Sequence, residues 1–272
     1  MLNVHRRMLL AVGAVAAASL AVPAGAQELQ PHRAAYDVSL LEHGKPSPTS
    51  QGTYAYELKL TCDGYIINQR LRLELDGARG SVITEQQSQM TESRDGRKLH
   101  FEHEASANGR KATLVRGDAT LKADGSGEAR FTEPDGQVVA LPAGTMFPMA
   151  MTLATLKHAA AGDGGFDALF FYGEKPAPPQ SVNVVIGRVP KRLADLKVPE
   201  EGVSIVKGRA RTYFRAGFFD AEAKKDGERA AFEISSLTLD NGVELYGTHE
   251  EGDSGFEYRI SRLEPLPKPN CN

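Results

Sequence analysis

Apolar and polar residues alternate with a period of two along most of this chain, and Asx-Gly pairs interrupt the alternation at short intervals. Tyr54, Tyr56, Leu58 and Leu60 share one face of an extended run. Ile67, Gln69, Leu71, Leu73 and Leu75 repeat the pattern, with Asn68, Arg70, Arg72 and Glu74 on the other side. Every second residue of a strand lines the same face, so one face of each run can enter a core while the other meets water. Ala34 to Leu40, Val82 to Ser93, Leu99 to Ser106 and Lys111 to Leu121 extend the series. So do Asp167 to Tyr172, Gln180 to Arg188, Val203 to Phe219, Ala230 to Leu239, Val243 to His249 and Phe256 to Leu263. Asp95-Gly96, Asn108-Gly109, Asp124-Gly125, Asp135-Gly136 and Asp240-Asn241-Gly242 are hairpin signals. About a dozen or more strands are predicted.

One segment breaks the pattern. Pro148 suits the first position of a helix, and Thr145 a place near its cap. Met149, Leu153, Leu156 and Ala160 fall at i, i+4, i+7 and i+11 and form an apolar face; Gly162 and Gly164 end it. One principal helix beside a long antiparallel sheet predicts a mainly β fold. The sheet curls into an open barrel, with the helix packed inside it or across an opening. No repeat of fixed period and no sharp boundary divides residues 27–272, which read as a single domain.

Residues 1–26 read as an export signal. Arg6 and Arg7 supply a positive start, Met8 to Val22 is uncharged and mostly apolar, and Ala24-Gly25-Ala26 is a small-x-small cleavage site. The flanks of Arg6-Arg7 do not complete a twin-arginine pattern, so a Sec-type signal cleaved after Ala26 is expected. The apolar run is shorter than a spanning helix needs, and no later run is long enough, so the chain is not expected to span a membrane. The expected location is the periplasm. Lys plus Arg total 32 against 35 Asp plus Glu, for a formal charge of −3. That balance argues against a nucleic-acid binder, which needs a basic stripe. A hydrophobic content of 41% excludes a disordered polyelectrolyte.

Cys62 and Cys271 are the only cysteines. Export places them where disulfides persist. An even count and a tail otherwise loosened by Pro265, Pro267 and Pro269 favour a bridge between them over two free thiols or an intermolecular pair. Catalytic dithiols usually sit as Cys-x-x-Cys, which is not the spacing here.

Catalytic motifs are missing. There is no Gly-x-Ser-x-Gly elbow, no Walker A loop and no dinucleotide fingerprint. His100 and His103 are three apart on a strand and point to opposite faces, which separates them as metal ligands. No cofactor, metal or enzymatic activity is expected. Two features point to binding. Arg209, Arg211 and Arg215 lie at period two with Tyr213, opposite Ala210, Thr212, Phe214, Ala216 and Phe218. They could hold an anionic ligand or partner, or form the solvated face of an amphipathic strand. Phe147, Met149, Met151 and Leu153, with Phe170, Phe171 and Phe218, could line an apolar ligand cavity or simply fill a core.

Pro31-His32-Arg33-Ala34-Ala35-Tyr36-Asp37, Tyr54-x-Tyr56-Glu57, and Cys62-Asp63-Gly64-Tyr65 with Asn68-x-Arg70 resemble the EipB cell-envelope-integrity family of alphaproteobacterial periplasmic proteins. Leu141-Pro142-Ala143-Gly144-Thr145-x-Phe147-Pro148 is similar to that family's approach to its helix. The likeness runs from Pro31 to Cys271, and the Cys-Asp-Gly-Tyr block and C-terminal cysteine are its most specific marks. It implies a β-spiral of about fourteen strands curled into an open barrel around a helix. It also implies a Cys62–Cys271 disulfide and a non-enzymatic role in envelope integrity and stress resistance. That role would run through protein contacts, with a tetratricopeptide-repeat periplasmic protein as partner. The shape is similar to the lipoprotein carriers of the Lol system, whose half-barrels hold acyl chains. A lipid, acyl or other apolar envelope ligand is therefore the alternative. The family offers no catalytic residues to carry over.

Overall fold

The computed structural model describes residues 28–42, 45–77, 80–220 and 229–271; the expected export signal lies outside them. The first strands are β1 (His32–Glu42), β2 (Lys45–Leu60), β3 (Gly64–Gly77), β4 (Gly80–Ser93), β5 (Lys98–Ala107) and β6 (Arg110–Leu121). The short strands β7 (Gly127–Glu133), β8 (Val138–Leu141) and β9 (Thr145–Met146) lead into α1 (Pro148–Ala161). Next come β10 (Gly165–Phe170) and β11 (Gln180–Gly187), then the one-turn helices α2 (Lys191–Ala194) and α3 (Val203–Val206). β12 (Arg211–Phe219), β13 (Phe232–Leu239), β14 (Glu244–Glu251) and β15 (Ser254–Pro265) complete the chain.

Among the described residues all fifteen strands belong to one sheet, in the order β8-β7-β6-β5-β4-β3-β2-β1-β15-β14-β13-β12-β11-β10-β9. Pairing of β1 with β15 joins the two halves. Neighbours are antiparallel except β9 and β10, which α1 connects as a crossover. β8 and β9 are the opposite edges of the sheet, yet only Pro142, Ala143 and Gly144 lie between them in sequence. Laid flat, fifteen strands would hold those edges about 65–70 Å apart, whereas the link from Leu141 to Thr145 reaches about 14 Å at most. The sheet therefore has to curl until its edges meet. At the meeting point the Gly144 N–H donates to the Asp124 carbonyl at 3.1 Å. Gly125 sits there at φ +77, and a Cβ on it would lie 2.7 Å from the Gly144 nitrogen, so only glycine fits.

The strand expected from Val203 starts only at Arg211. Residues 188–208 instead pack against β13–β15, where Leu193, Ile205 and Val206 join the cluster of Leu237, Leu239 and Leu263. Gly208, at φ +76, then turns the chain into β12. Val203-Ser-Ile-Val206 carries β-branched residues that mimic a strand; only Ile205 and Val206 are half-buried against that cluster while Val203 stays exposed, and this one-sided tertiary contact overrides the strand preference.

The concave side holds α1, which packs with Leu58, Ile67, Met90, Phe101 and Phe131. Gly162 closes the helix in the left-handed region at φ +78. Its N–H reaches the Ala159 carbonyl, and that of Asp163 reaches His158. The start of the helix departs from expectation. Thr145 belongs to β9, and the cap comes from β4, where Glu92 accepts the Met149 N–H at 2.7 Å and the Ala150 N–H at 2.8 Å. Glu92 is fully buried, and its carboxylate answers both the free N–H groups and the positive end of the helix dipole.

Cys62 and Cys271 are bonded, with Cα atoms 5.6 Å apart across 209 residues of sequence. The tail runs back beside the N-terminal strand, with the Leu266 N–H on the Pro31 carbonyl and Lys268 paired to Glu28 at 2.6 Å. Closing so long a loop restrains the unfolded chain by about 5 kcal/mol in the chain-entropy picture. Cys62→Ser and Cys271→Ser should each lower urea-unfolding stability by about 3–5 kcal/mol, and the double variant should cost no more than either single. Single variants that unfold at the parent's urea midpoint would contradict this role.

Candidate ligand cavity

The curl encloses more space than α1 fills. A cavity of about 270 Å³ lies between the helix and the inner face of the sheet. Met149, Met151, Thr152, Thr155 and Leu156 form its helical wall, and Ile67, Met90, Phe170, Val184, Phe214, Phe218 and Ile234 its sheet wall. The Thr152 and Thr155 hydroxyls donate to the Pro148 and Met151 carbonyls, both at 3.0 Å. Their polar atoms are thus spent on the helix, which leaves the methyls for the cavity.

Part of the lining is polar: Tyr54 and Tyr56 on β2, Ser236 and Thr238 on β13, Glu244 on β14 and Tyr258 on β15. Glu244 reaches the interior through a bulge. β13 and β14 pair Leu237 with Tyr246 and Thr238 with Glu244, leaving Leu245 without a partner. Tyr246 faces outward, stacked with the guanidinium groups of Arg192 and Arg259. Strict alternation from Tyr246 would send Glu244 outward as well; the extra residue turns it in.

Glu244 Oε1 accepts hydrogen bonds from the Ser236 hydroxyl at 2.5 Å and the Tyr258 hydroxyl at 3.1 Å. Burial pushes its carboxyl up to about 7, against the pull of those two donors. Glu92 is likewise pushed up to about 7 by burial, opposed by its two backbone N–H donors. Tyr36, Tyr54, Tyr56 and Tyr258 are all raised above the usual phenol range, first by burial and then by the negative charge of Glu244 or of neighbouring phenols. They stay neutral at any physiological pH.

A second compartment of about 210 Å³ shares Tyr54, Gln69, Tyr172, Ile234 and Tyr258 with the first. Tyr172 stands between them, with its hydroxyl on Gln69 Oε1 at 2.5 Å. Its carbonyl lies 3.1 Å from His103 Nε2, and the other ring nitrogen of His103 lies 2.8 Å from the Ser88 hydroxyl. Burial lowers the His103 pKa, so the imidazole is neutral and donates to that carbonyl. Phe218, Phe232, His249 and Phe256, one on each strand from β12 to β15, stack in a row at centroid spacings of 4.4, 4.9 and 5.3 Å.

Of the residues expected around an apolar cavity, Met149 and Phe218 line it, together with Met151 and Phe170. Phe147 and Phe171 pack into the core beside Phe101 and Phe131, and Leu153 turns toward that same core, about 100° round the helix from Thr152. The three arginines do not converge. Arg209 lies 3.7 Å from Asp240, Arg215 pairs with Glu233 at 2.6 Å, and Arg211 donates to the carbonyls of Leu193, Ala194 and Leu196 at the end of α2. His100 points outward to Asp118 while His103 points inward, on opposite faces as expected. The polar residues Glu92, Ser236, Glu244 and Tyr258 were not singled out by sequence reasoning. Only Tyr54 and Tyr56 carried a signal, as two phenols on the apolar face of an alternating run.

The EipB-like family model matches residues 23–266. Cell envelope integrity protein EipB of Brucella abortus (strain 2308) is 26% identical over 255 residues, covering 91% of this chain and 88% of that one. The crystal structure of a β-barrel-like protein of a domain of unknown function from Brucella abortus superposes with a TM-score of 0.76 at 22% identity. It covers 88% of this chain and 99% of that one, and the likeness extends to the fold.

The pKa of Glu244 rises on folding from 4.5 to about 7, so in that pH window the native state binds more protons than the unfolded chain. Its contribution to stability is present at low pH and fades as pH rises through the folded pKa. Urea midpoints should fall between about pH 5 and about pH 8, and Glu244→Gln should flatten part of that fall. A profile identical in parent and variant would contradict the assignment.

Proposed function

The chain belongs to the EipB-like family, and from that premise we propose that it is a non-enzymatic periplasmic protein that supports cell-envelope integrity. In this reading it works by holding an apolar part of an envelope component inside the curled sheet. The cavity of about 270 Å³ beside α1 carries the reading. Three Met, three Phe, two Ile, a Leu and a Val contribute to its walls, side chains that bury alkyl chains with little regard to their exact shape. The name of the Brucella abortus relative supports the envelope role. The Cys62–Cys271 disulfide suits an oxidising compartment, which supports export to the periplasm with the signal cleaved after Ala26. Binding is the reading supported by a lining rich in apolar and phenolic side chains, where among the described residues the side-chain partners of Glu244 are only the Ser236 and Tyr258 hydroxyls.

Native mass spectrometry of protein released from the periplasm without detergent should find a fraction carrying a lipid-sized mass. Ala216→Leu, which fills part of the cavity at a cost of about 1–3 kcal/mol in overpacking, should lose that fraction and still fold. A parent protein that is empty in every preparation would overturn the cavity reading. Contacts with a second protein, such as a tetratricopeptide-repeat partner, would then carry the role.

A further inference from the structure

The polar part of the cavity has an unusual composition. Glu244 spends Oε1 on Ser236 and Tyr258, while Oε2 has no hydrogen-bond partner among the described residues. Among the described residues no Lys, Arg or His lines the cavity. The carboxyl is instead walled by tyrosines. The Tyr36, Tyr54 and Tyr258 rings are mutually in contact, with centroids 5.3 Å (Tyr36–Tyr54), 5.3 Å (Tyr54–Tyr258) and 5.4 Å (Tyr36–Tyr258) apart. Tyr54, Tyr56 and Tyr258 line the same space. The Tyr36 hydroxyl is occupied by the Glu244 carbonyl at 3.0 Å, whereas those of Tyr54 and Tyr56 have no partner among the described residues.

We propose that Glu244, Tyr54, Tyr56 and Tyr258 form a subsite for a positively charged amine or quaternary ammonium group at the head of the apolar ligand. This rests on the cavity reading above and adds the ligand's chemical class. An ionised carboxylate in a poorly hydrated pocket requires a counter-charge, and none of the described residues places one there. Aromatic faces carry negative potential and attract ammonium groups, most strongly where water is excluded. An anionic head would meet repulsion from both the carboxylate and the ring faces. A hard metal ion needs six or more oxygen ligands, and a single carboxylate among phenols does not supply them. The alkyl part of the same ligand would extend along Met149 and Met151 of α1.

The proton competes with the ammonium for Glu244. Among the described residues the titratable groups facing the carboxyl are Tyr36, Tyr54, Tyr56 and Tyr258, and burial keeps all four neutral, so of these groups Glu244 sets the competition. Binding of the cation should therefore strengthen as pH rises past about 7.

Three dodecyl amphiphiles below their micellar concentrations test the proposal by isothermal titration calorimetry at about pH 8. They are dodecyltrimethylammonium, dodecyldimethylamine oxide, which is uncharged overall and of similar size, and dodecyl sulfate. The ammonium should bind at least about tenfold more tightly than the amine oxide, with the sulfate weakest. Glu244→Gln should erase that preference, bringing the ammonium and amine-oxide affinities to within about twofold of each other. Tyr54→Leu, which removes a ring wall and keeps the carboxyl, should weaken the ammonium more than the amine oxide, and it serves if Glu244→Gln does not fold. Equal affinities for the ammonium and the amine oxide, or a preference that survives in both variants, would overturn the headgroup subsite while leaving the apolar cavity standing. Failure of all three amphiphiles to bind would overturn the cavity reading and the subsite together.

Discussion

Pro142, Ala143 and Gly144 tie the two edges of a fifteen-stranded sheet together, and the curl they impose creates the interior on which everything else depends. Each edge strand is short, four residues in β8 and two in β9, and each lies close to the other, which limits the unpaired backbone open to other chains. The opposite side of the spiral is the β1–β15 pairing that joins the halves of the chain. There the disulfide acts as a strap. The tail beyond β15 passes residues 28–31 and is fixed to the β2–β3 turn at Cys62, so β1 is held between covalently linked neighbours. Topology closes one side, and a covalent bond reinforces the other.

A curled sheet of this width needs something inside it, and α1 is positioned there by a single carboxylate. Both oxygens of Glu92 are spent on the helix N-terminus. Glu244 is the second acid pointing into the interior, and its situation differs. One of its oxygens is held by hydroxyls, and the other is left without a partner among the described residues. Burial raises both carboxyls to about 7. The helix dipole and two N–H groups compensate the first internally; the second has two hydroxyl donors and no cationic partner among the described residues. The same residue type is thereby structural at one position and available at the other.

Much of this architecture is legible in the sequence, and the illegible parts have physical reasons. The long strands β2 to β6 show their alternation openly, and the Asx-Gly pairs mark their turns. β7, β8 and β9 are only seven, four and two residues long, too short for alternation to stand out in the sequence. Val203–Val206 has strand-like composition but forms a helical turn that sets only Ile205 and Val206 against the core, a contact made by residues distant in sequence. Gly162 and Pro148 bound α1 as the pattern predicts, but its cap comes from Glu92, 57 residues away, which no local motif can announce. Glu244 is hidden for another reason: one bulged residue reverses the face that alternation assigns to it. In the cavity, the residues that follow helical and strand periodicity, Met149 and Phe218, were recognisable, and those that depend on long-range register were not.

The central claim is that the interior beside α1 receives an apolar chain. Methionine methyl groups offer a direct test, because Met90, Met149 and Met151 line the cavity while Met146 does not. The measurement is an NMR spectrum of methyl-labelled protein with a bound dodecyl amphiphile, recorded for nuclear Overhauser contacts between ligand and methionine methyls. The account predicts contacts from the alkyl chain to Met90, Met149 and Met151 and none to Met146. Contacts confined to Met146, or a bound ligand that touches no methionine, would place the ligand on the outside of the spiral and contradict it.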